Sequence, residues 1–215
     1  MKKWMVIVAG VCFVSAAACA GTVGITVKAS TLGLGADVTI PIVASNLNFR
    51  AGYNGASLSR EVDLDKATCD GKITWATIPI LLDWYPAGSD FRLSGGMIVN
   101  NNKVALSAKP KEDFELNGVD YSIGGMDGSI TFDNVAWYIG VGSGNAVGDG
   151  RLHFACDMGV MFQGKPKAEA TATASIPALQ DALNADLQAE VDDFQKDLNA
   201  FIIYPVISVG VSFAF

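Results

Sequence analysis

With one histidine, four cysteines and charged residues at 17% of its 215 positions, this chain has little of what most chemistry requires. His153 is the sole imidazole and has no serine set beside it, so a Ser/His or Asp/His hydrolytic site lacks parts, and no catalytic residue is assigned. Two of the cysteines fall in the first twenty residues. The remaining pair, Cys69 in a polar stretch and Cys156 inside an alternating one, is expected to stay unpaired and forms no metal-like cluster, so no metal or cofactor is assigned. Basic residues are outnumbered, 15 to 22, which leaves no positive footprint for nucleic acid. Half of the residues are hydrophobic, yet no internal run reaches the roughly 18 apolar residues of a spanning helix. The apolar content is dispersed in short pieces.

What the chain does have begins with an export signal. Lys2 and Lys3 precede an apolar stretch over 4–17, and Ala18-Cys19-Ala20 fits a small-x-small cleavage site. Residues 1–20 therefore read as a signal peptide, the mature chain starting at Gly21. A competing reading makes Cys19 a lipoprotein cysteine, although Ala16 stands where such sites usually carry Leu. Loss of Lys2 and Lys3 takes the net charge from −7 to −9. The acidic loops suit divalent cations or cationic solutes, simple solvation being the plainer account.

The second positive feature is a period of two. In 203–215 every second residue from Ile203 to Phe215 is apolar, and small or weakly polar residues lie between. The pattern recurs at 23–30, 34–42, 47–54, 73–85, 91–107, 130–142 and 151–162, giving eight strands. A long soluble edge strand of this kind would be an aggregation hazard; lipid on one side and a filled lumen on the other suit it. The links after 42, 85 and 142 are short, and those after 54, 107 and 162 long, as in barrels with short periplasmic turns and longer external loops. Residues 21–215 thus read as one all-β domain, an eight-stranded antiparallel transmembrane β-barrel. A soluble β-sandwich is the competing architecture.

Register and loop contents follow. Across Pro86–Ser89, read as a four-residue turn, Asp83 is expected opposite Arg92 and Trp84 opposite Phe91. A small hairpin on Asn117-Gly118 is expected inside the loop 108–129. The last long loop, 163–200, is expected to be extracellular and to hold an amphipathic helix over 178–199, with Ser175 as N-cap and Pro177 in its first turn.

At Asn134–Gly142 (NVAWYIGVG), and again at Phe162–Lys167 (FQGKPK) ahead of the acidic helix, the chain resembles the small outer-membrane β-barrel proteins of Gram-negative bacteria, in particular the carbapenem-associated, ornithine-channel type of small porin. The likeness runs from about residue 24 to 215. It implies passive uptake of small, often cationic amino acids, and no binding residue of that family carries over. Phe215 resembles the C-terminal aromatic by which the outer-membrane assembly machinery recognises its clients.

The alternation sends Lys28, Asp37, Arg50, Asp83, Arg92, Arg151, His153 and Asp157 to the lumen. Buried charges must be paired, and eight strands enclose just enough room for side chains. A salt-bridged plug is therefore one reading and a narrow charge-lined path the other; His153 is either a satisfied lumen residue or a pH-sensitive gate. Trp84, Phe91, Trp137, Phe213 and Phe215 form the expected aromatic girdle. The expected partners are the bilayer with its lipopolysaccharide and the assembly machinery, with small cationic solutes if the lumen conducts; the chain is expected to be a monomer. Three roles are weighed: a structural or narrow-channel barrel, a porin for basic amino acids, and an adhesin acting through its long loops.

Overall fold

The computed structural model describes residues 23–43, 46–63, 67–86, 89–110, 114–116, 119–148 and 150–215. The expected signal peptide, its cleavage site and Cys19 lie outside the described residues. The strands are β1 (Gly24–Ser30), β2 (Gly33–Val43), β3 (Leu47–Asp63), β4 (Ala67–Trp84), β5 (Phe91–Asn100), β6 (Lys103–Pro110), β7 (Phe114–Leu116), β8 (Val119–Tyr121), β9 (Ile123–Thr131), β10 (Val135–Ser143), β11 (Leu152–Phe162), β12 (Lys167–Ala174) and β13 (Ile203–Ala214). A helix, α1 (Gln180–Leu198), follows a 3-10 turn, Pro177–Leu179.

Eight strands close on themselves in the order β1-β2-β3-β4-β5-β10-β11-β13, every neighbour antiparallel, and β13 returns to β1 with Gly24 opposite Ala214 and Ser30 opposite Ser208. No sheet edge is left in this ring. The ring closes at its lower rim, where Val23 and Phe215 exchange backbone hydrogen bonds of 3.3 and 2.9 Å. In the lower part of the ring, polar or small residues face in and apolar ones face out. The expected eight-stranded barrel is what forms.

The expected loops differ from what is seen. In the stretch 55–71, expected to be a loop, residues 55–63 and 67–71 are strand: β3 and β4 run on as a paired ribbon to Asp63 opposite Thr68. Cys69 is accordingly a strand residue, opposite Val62 and Ala108. β5 and β6 keep one register along β4, Thr77 opposite Asn100 and Thr74 opposite Lys103, so they are one strand interrupted at Asn101 and Asn102. β9 and β10 likewise share one register on that strand. β12, inside the expected loop 163–200, pairs with β9. The result is an open five-stranded extension, β3-β4-β6-β9-β12, standing above the upper rim. The small hairpin expected on Asn117-Gly118 forms between β7 and β8.

In this extension the facing of apolar residues inverts. Outward positions below are Val99 and Val135; above them come Thr74, Lys103, Thr131 and Lys167, mutual cross-strand neighbours. Inward positions above form three rungs: Leu58-Ile73-Val104-Ile130-Ala168, then Arg60-Gly71-Leu106-Gly128-Ala170, then Val62-Cys69-Ala108-Met126-Ala172. The sheet is greasy outside in the barrel and greasy inside in the extension, which is what water around the second part demands.

α1 packs on the β12 side of the extension. Leu183 and Leu187, both buried, lie against Tyr121, Ile123, Ala172 and Ala174. Pro177 does open the first turn, but Ser175 is no cap: its backbone N–H donates to the Ser122 carbonyl at 2.8 Å, because residue 175 is still finishing the sheet. Two glutamines reach the free edge of β12. The Ala168 amide donates to Gln195 Oε1 at 3.0 Å and the Ala174 amide to Gln180 Oε1 at 2.9 Å, while Gln180 Nε2 donates to the Ala172 carbonyl at 2.9 Å. They satisfy groups that a further strand would otherwise bond.

Candidate functional site: a lumen closed in two layers

The lower layer is ionic. Arg50, 4% exposed, projects from β3 into the centre. Its Nε lies 2.7 Å from Asp83 Oδ2, its Nη2 donates to Asp83 Oδ1 at 2.9 Å, and its Nη1 donates to Asp157 Oδ2 at 3.2 Å and Asp37 Oδ2 at 3.5 Å. Lys28 donates to the same Asp37 oxygen at 2.6 Å, and Arg92 Nη2 to Asp157 Oδ1 at 2.7 Å. The Ser94 and Ser208 hydroxyls complete the shells of Asp83 and Asp157 at 2.6 and 3.1 Å. Three cations and three carboxylates leave the layer neutral, the condition under which buried charge is tolerated. Room comes from glycine: a Cβ at Gly52, one strand over, would collide with Asp37, and one at Gly142 would sit 2.7 Å from Asp157 Oδ1.

The upper layer is apolar. Leu81, Ile98, Ala136, Tyr138, Met161 and Val206 point inward and pack together, all buried. Leu32 joins them from the β1–β2 turn. Gly33, at φ +100°, reverses the chain there. The turn is then drawn over the mouth: the Thr31 amide donates to the Ile207 carbonyl at 3.0 Å, and the Tyr204 hydroxyl donates to the Thr31 carbonyl at 2.7 Å. Between the two layers the open volume is about 20 Å³, room for about one water molecule. Tyr85, also buried, fills the lower end, its amide donating to the Asn46 carbonyl at 2.8 Å.

Six of the eight sequence-assigned lumen charges thus lie in one network: Lys28, Asp37, Arg50, Asp83, Arg92 and Asp157. The other two do not. Arg151 is exposed in the turn below β11, and His153 bonds the Gly150 carbonyl in the same turn at 3.1 Å; both sit where the barrel opens to solvent. The hairpin register is also corrected. Trp84 lies opposite Leu93 and Asp83 opposite Ser94, two residues from the expected pairing. Burying Tyr85 lengthens the connection, and a slip of two keeps every side chain on its face. Arg92 therefore sits lower and meets Asp157 and the Gly144 carbonyl instead of Asp83.

The exposed aromatics occupy two levels. Trp84, Phe91, Phe213 and Phe215 stand at the lower rim, whereas Trp137 lies near the upper one beside Phe162. Cys156 is exposed on the outer face, and it and Cys69 are both free. Sequence reasoning did not collect the apolar layer, because Leu32 comes from a turn, and Met161 and Val206 are ordinary apolar residues on the wrong face of strands whose outward faces were also apolar.

No protein-family model matches the chain, and no curated protein matches it in sequence. Solved structures match its shape. The crystal structure of CarO2 from Acinetobacter baumannii superposes with a TM-score of 0.59 at 18% identity, covering 90% of this chain and 98% of that one. CarO from the same organism gives 0.57 at 20% identity, over 89% and 97%. The likeness is one of fold.

Proposed function

We propose that this chain is an integral outer-membrane β-barrel protein whose lumen is a sealed plug, so that it acts as a structural base and not as an open diffusion pore. The outward apolar belt and the aromatics at its two levels suit a bilayer, the similar folds of CarO2 and CarO belong to proteins from a bacterium, and exposed Phe215 at the lower rim suits recognition by the assembly machinery. The observation that carries the reading is the single-water volume between the ionic and apolar layers. A conducting path would require Leu32 and Tyr138 to leave the upper layer and the Arg50 network to part. A neutral network of three acids and three bases also provides no preference for cations, which weighs against uptake of basic amino acids as the main role. Refolded protein in a planar bilayer is expected to give no discrete conductance steps, with or without Arg92→Ala. Regular steps in the wild-type protein would overturn the sealed reading in favour of the narrow channel.

A further inference from the structure

We propose that the extension above the barrel binds a single-chain alkyl carboxylate, the chain lying in a cleft between α1 and the sheet and the carboxylate meeting Arg60. α1 covers only the β12 side of the three inward rungs. Towards β6 a cleft of about 370 Å³ is left, with Ile73, Val104, Leu106 and Ile130 on its sheet wall and Val191 and Phe194 on its helix wall. That volume falls in the range of small-molecule sites. Leu106 and Phe194 face it half-exposed, 49% and 50%, although both belong to the part of the molecule whose outer surface is polar.

The glycines supply a second, independent observation. Most inward-facing glycines of the barrel are forced: a Cβ at Gly140 or Gly159 would strike the Tyr138 ring. In the cleft nothing forces them. A Cβ at Gly71 or Gly128 would meet its nearest neighbour at 3.7 or 3.8 Å, ordinary contact, so packing alone leaves these positions open to a side chain. Glycine weakens a strand, and here its effect is to leave a smooth floor on either side of Leu106.

The head group is selected by charge. Among the fifteen inward positions of the three rungs Arg60 alone is charged, and it stands directly across from Gly71, which lines the cleft. Lys72 and Glu169 also border the cleft, from the alternate, outward-facing positions of β4 and β12. Arg60 is the inward-facing cation one strand from it, and a guanidinium within side-chain reach of an apolar trough matches a carboxylate in geometry and sign. The inference does not depend on whether the lumen conducts.

The test uses refolded protein in lipid nanodiscs, with sodium octanoate and octan-1-ol as probes and the methyl resonances of Val104 and Leu106 as readout. Both probes are expected to shift these signals saturably, octanoate about tenfold more tightly, the scale of one charge-assisted pair. Arg60→Gln should bring octanoate down to the level of octanol. Gly128→Val should abolish the shifts; Gly71→Val fills the same cleft from β4, on the other side of Leu106, should the first variant fail to show heat-modifiable migration. The site is refuted if the shifts do not saturate and appear equally at the outward methyls of Ile139 and Val209, which signals partition into the bilayer, or if both cleft-filling variants bind as the wild type does. Octanoate affinity unchanged in Arg60→Gln refutes the carboxylate assignment.

Discussion

Arg50 is the residue on which the lower layer turns, since it contacts all three carboxylates. Arg50→Leu leaves Asp83 buried without its ion-pair partner and Asp37 with Lys28 alone, and breaking a buried pair in this way costs about 3–5 kcal/mol. Urea unfolding in vesicles should show that loss, and Arg50→Lys should recover only part of it because a single ammonium cannot fork between three acids. A second residue-scale prediction concerns Tyr121, outside the barrel. Its hydroxyl donates to Asp186 Oδ2 at 2.6 Å, and this hydrogen bond to the carboxylate raises the phenol above its usual 10. The folded state therefore holds that proton more firmly than the unfolded one. The contribution to α1 docking is complete below pH 10 and is lost as pH climbs through the raised value. Limited proteolysis of the helix should accelerate over that interval in the wild type; Tyr121→Phe should be faster already at neutral pH and show no step there. Little of this residue detail was legible. Alternation put six of the charges on the face where the network lies, but the one acid–base pairing it offered, Asp83 with Arg92, is not the one formed, because a register slip of two is invisible to a period-two pattern.

At the scale of elements, the strands with a greasy lipid-facing side were evident and their upper continuations were not. Residues 167–174 alternate perfectly (KAEATATA), yet Ala, Lys and Glu are poor strand formers, and the apolar side of that alternation is only methyl groups. The ribbon 55–71 was masked for a related reason: its outer face is polar because it meets water, so it resembles a loop to any reading that expects the barrel's facing throughout. β12 is the weak member of this sheet, and α1 protects its edge through Gln180 and Gln195. Gln180→Ala with Gln195→Ala should raise amide hydrogen exchange at Ala168 and Ala174 by about tenfold or more, the effect of losing one neutral hydrogen bond at each. Exchange at Gly159, inside the closed ring, should not change. Equal protection in both proteins would mean that helix packing through Leu183 and Leu187, and not the amide bonds, guards the edge.

At the scale of the molecule, closure was legible and the second architecture was not. Counting apolar faces gave eight strands; it did not reveal that five of them continue as a separate amphipathic sheet with the opposite facing. The boundary between the two regimes is narrow. With Cys69 and Cys156 replaced by serine, single cysteines at Lys103 and Thr131 should react with an aqueous maleimide, and cysteines at Val99 and Val135 should not. Uniform labelling of all four would move the boundary down the barrel. From Thr74 at that boundary to Trp84 at the lower rim is about ten residues, a tilted height of roughly 25 Å. The inversion of facing therefore fixes a draught line around the molecule. In a thicker sheet of lipid the protein has no spare greasy surface to raise, since the next ring outward carries Lys103 and Lys167. In the bilayer proposed for it, lipid must pinch inward around the protein, which then favours the thinner of two membranes.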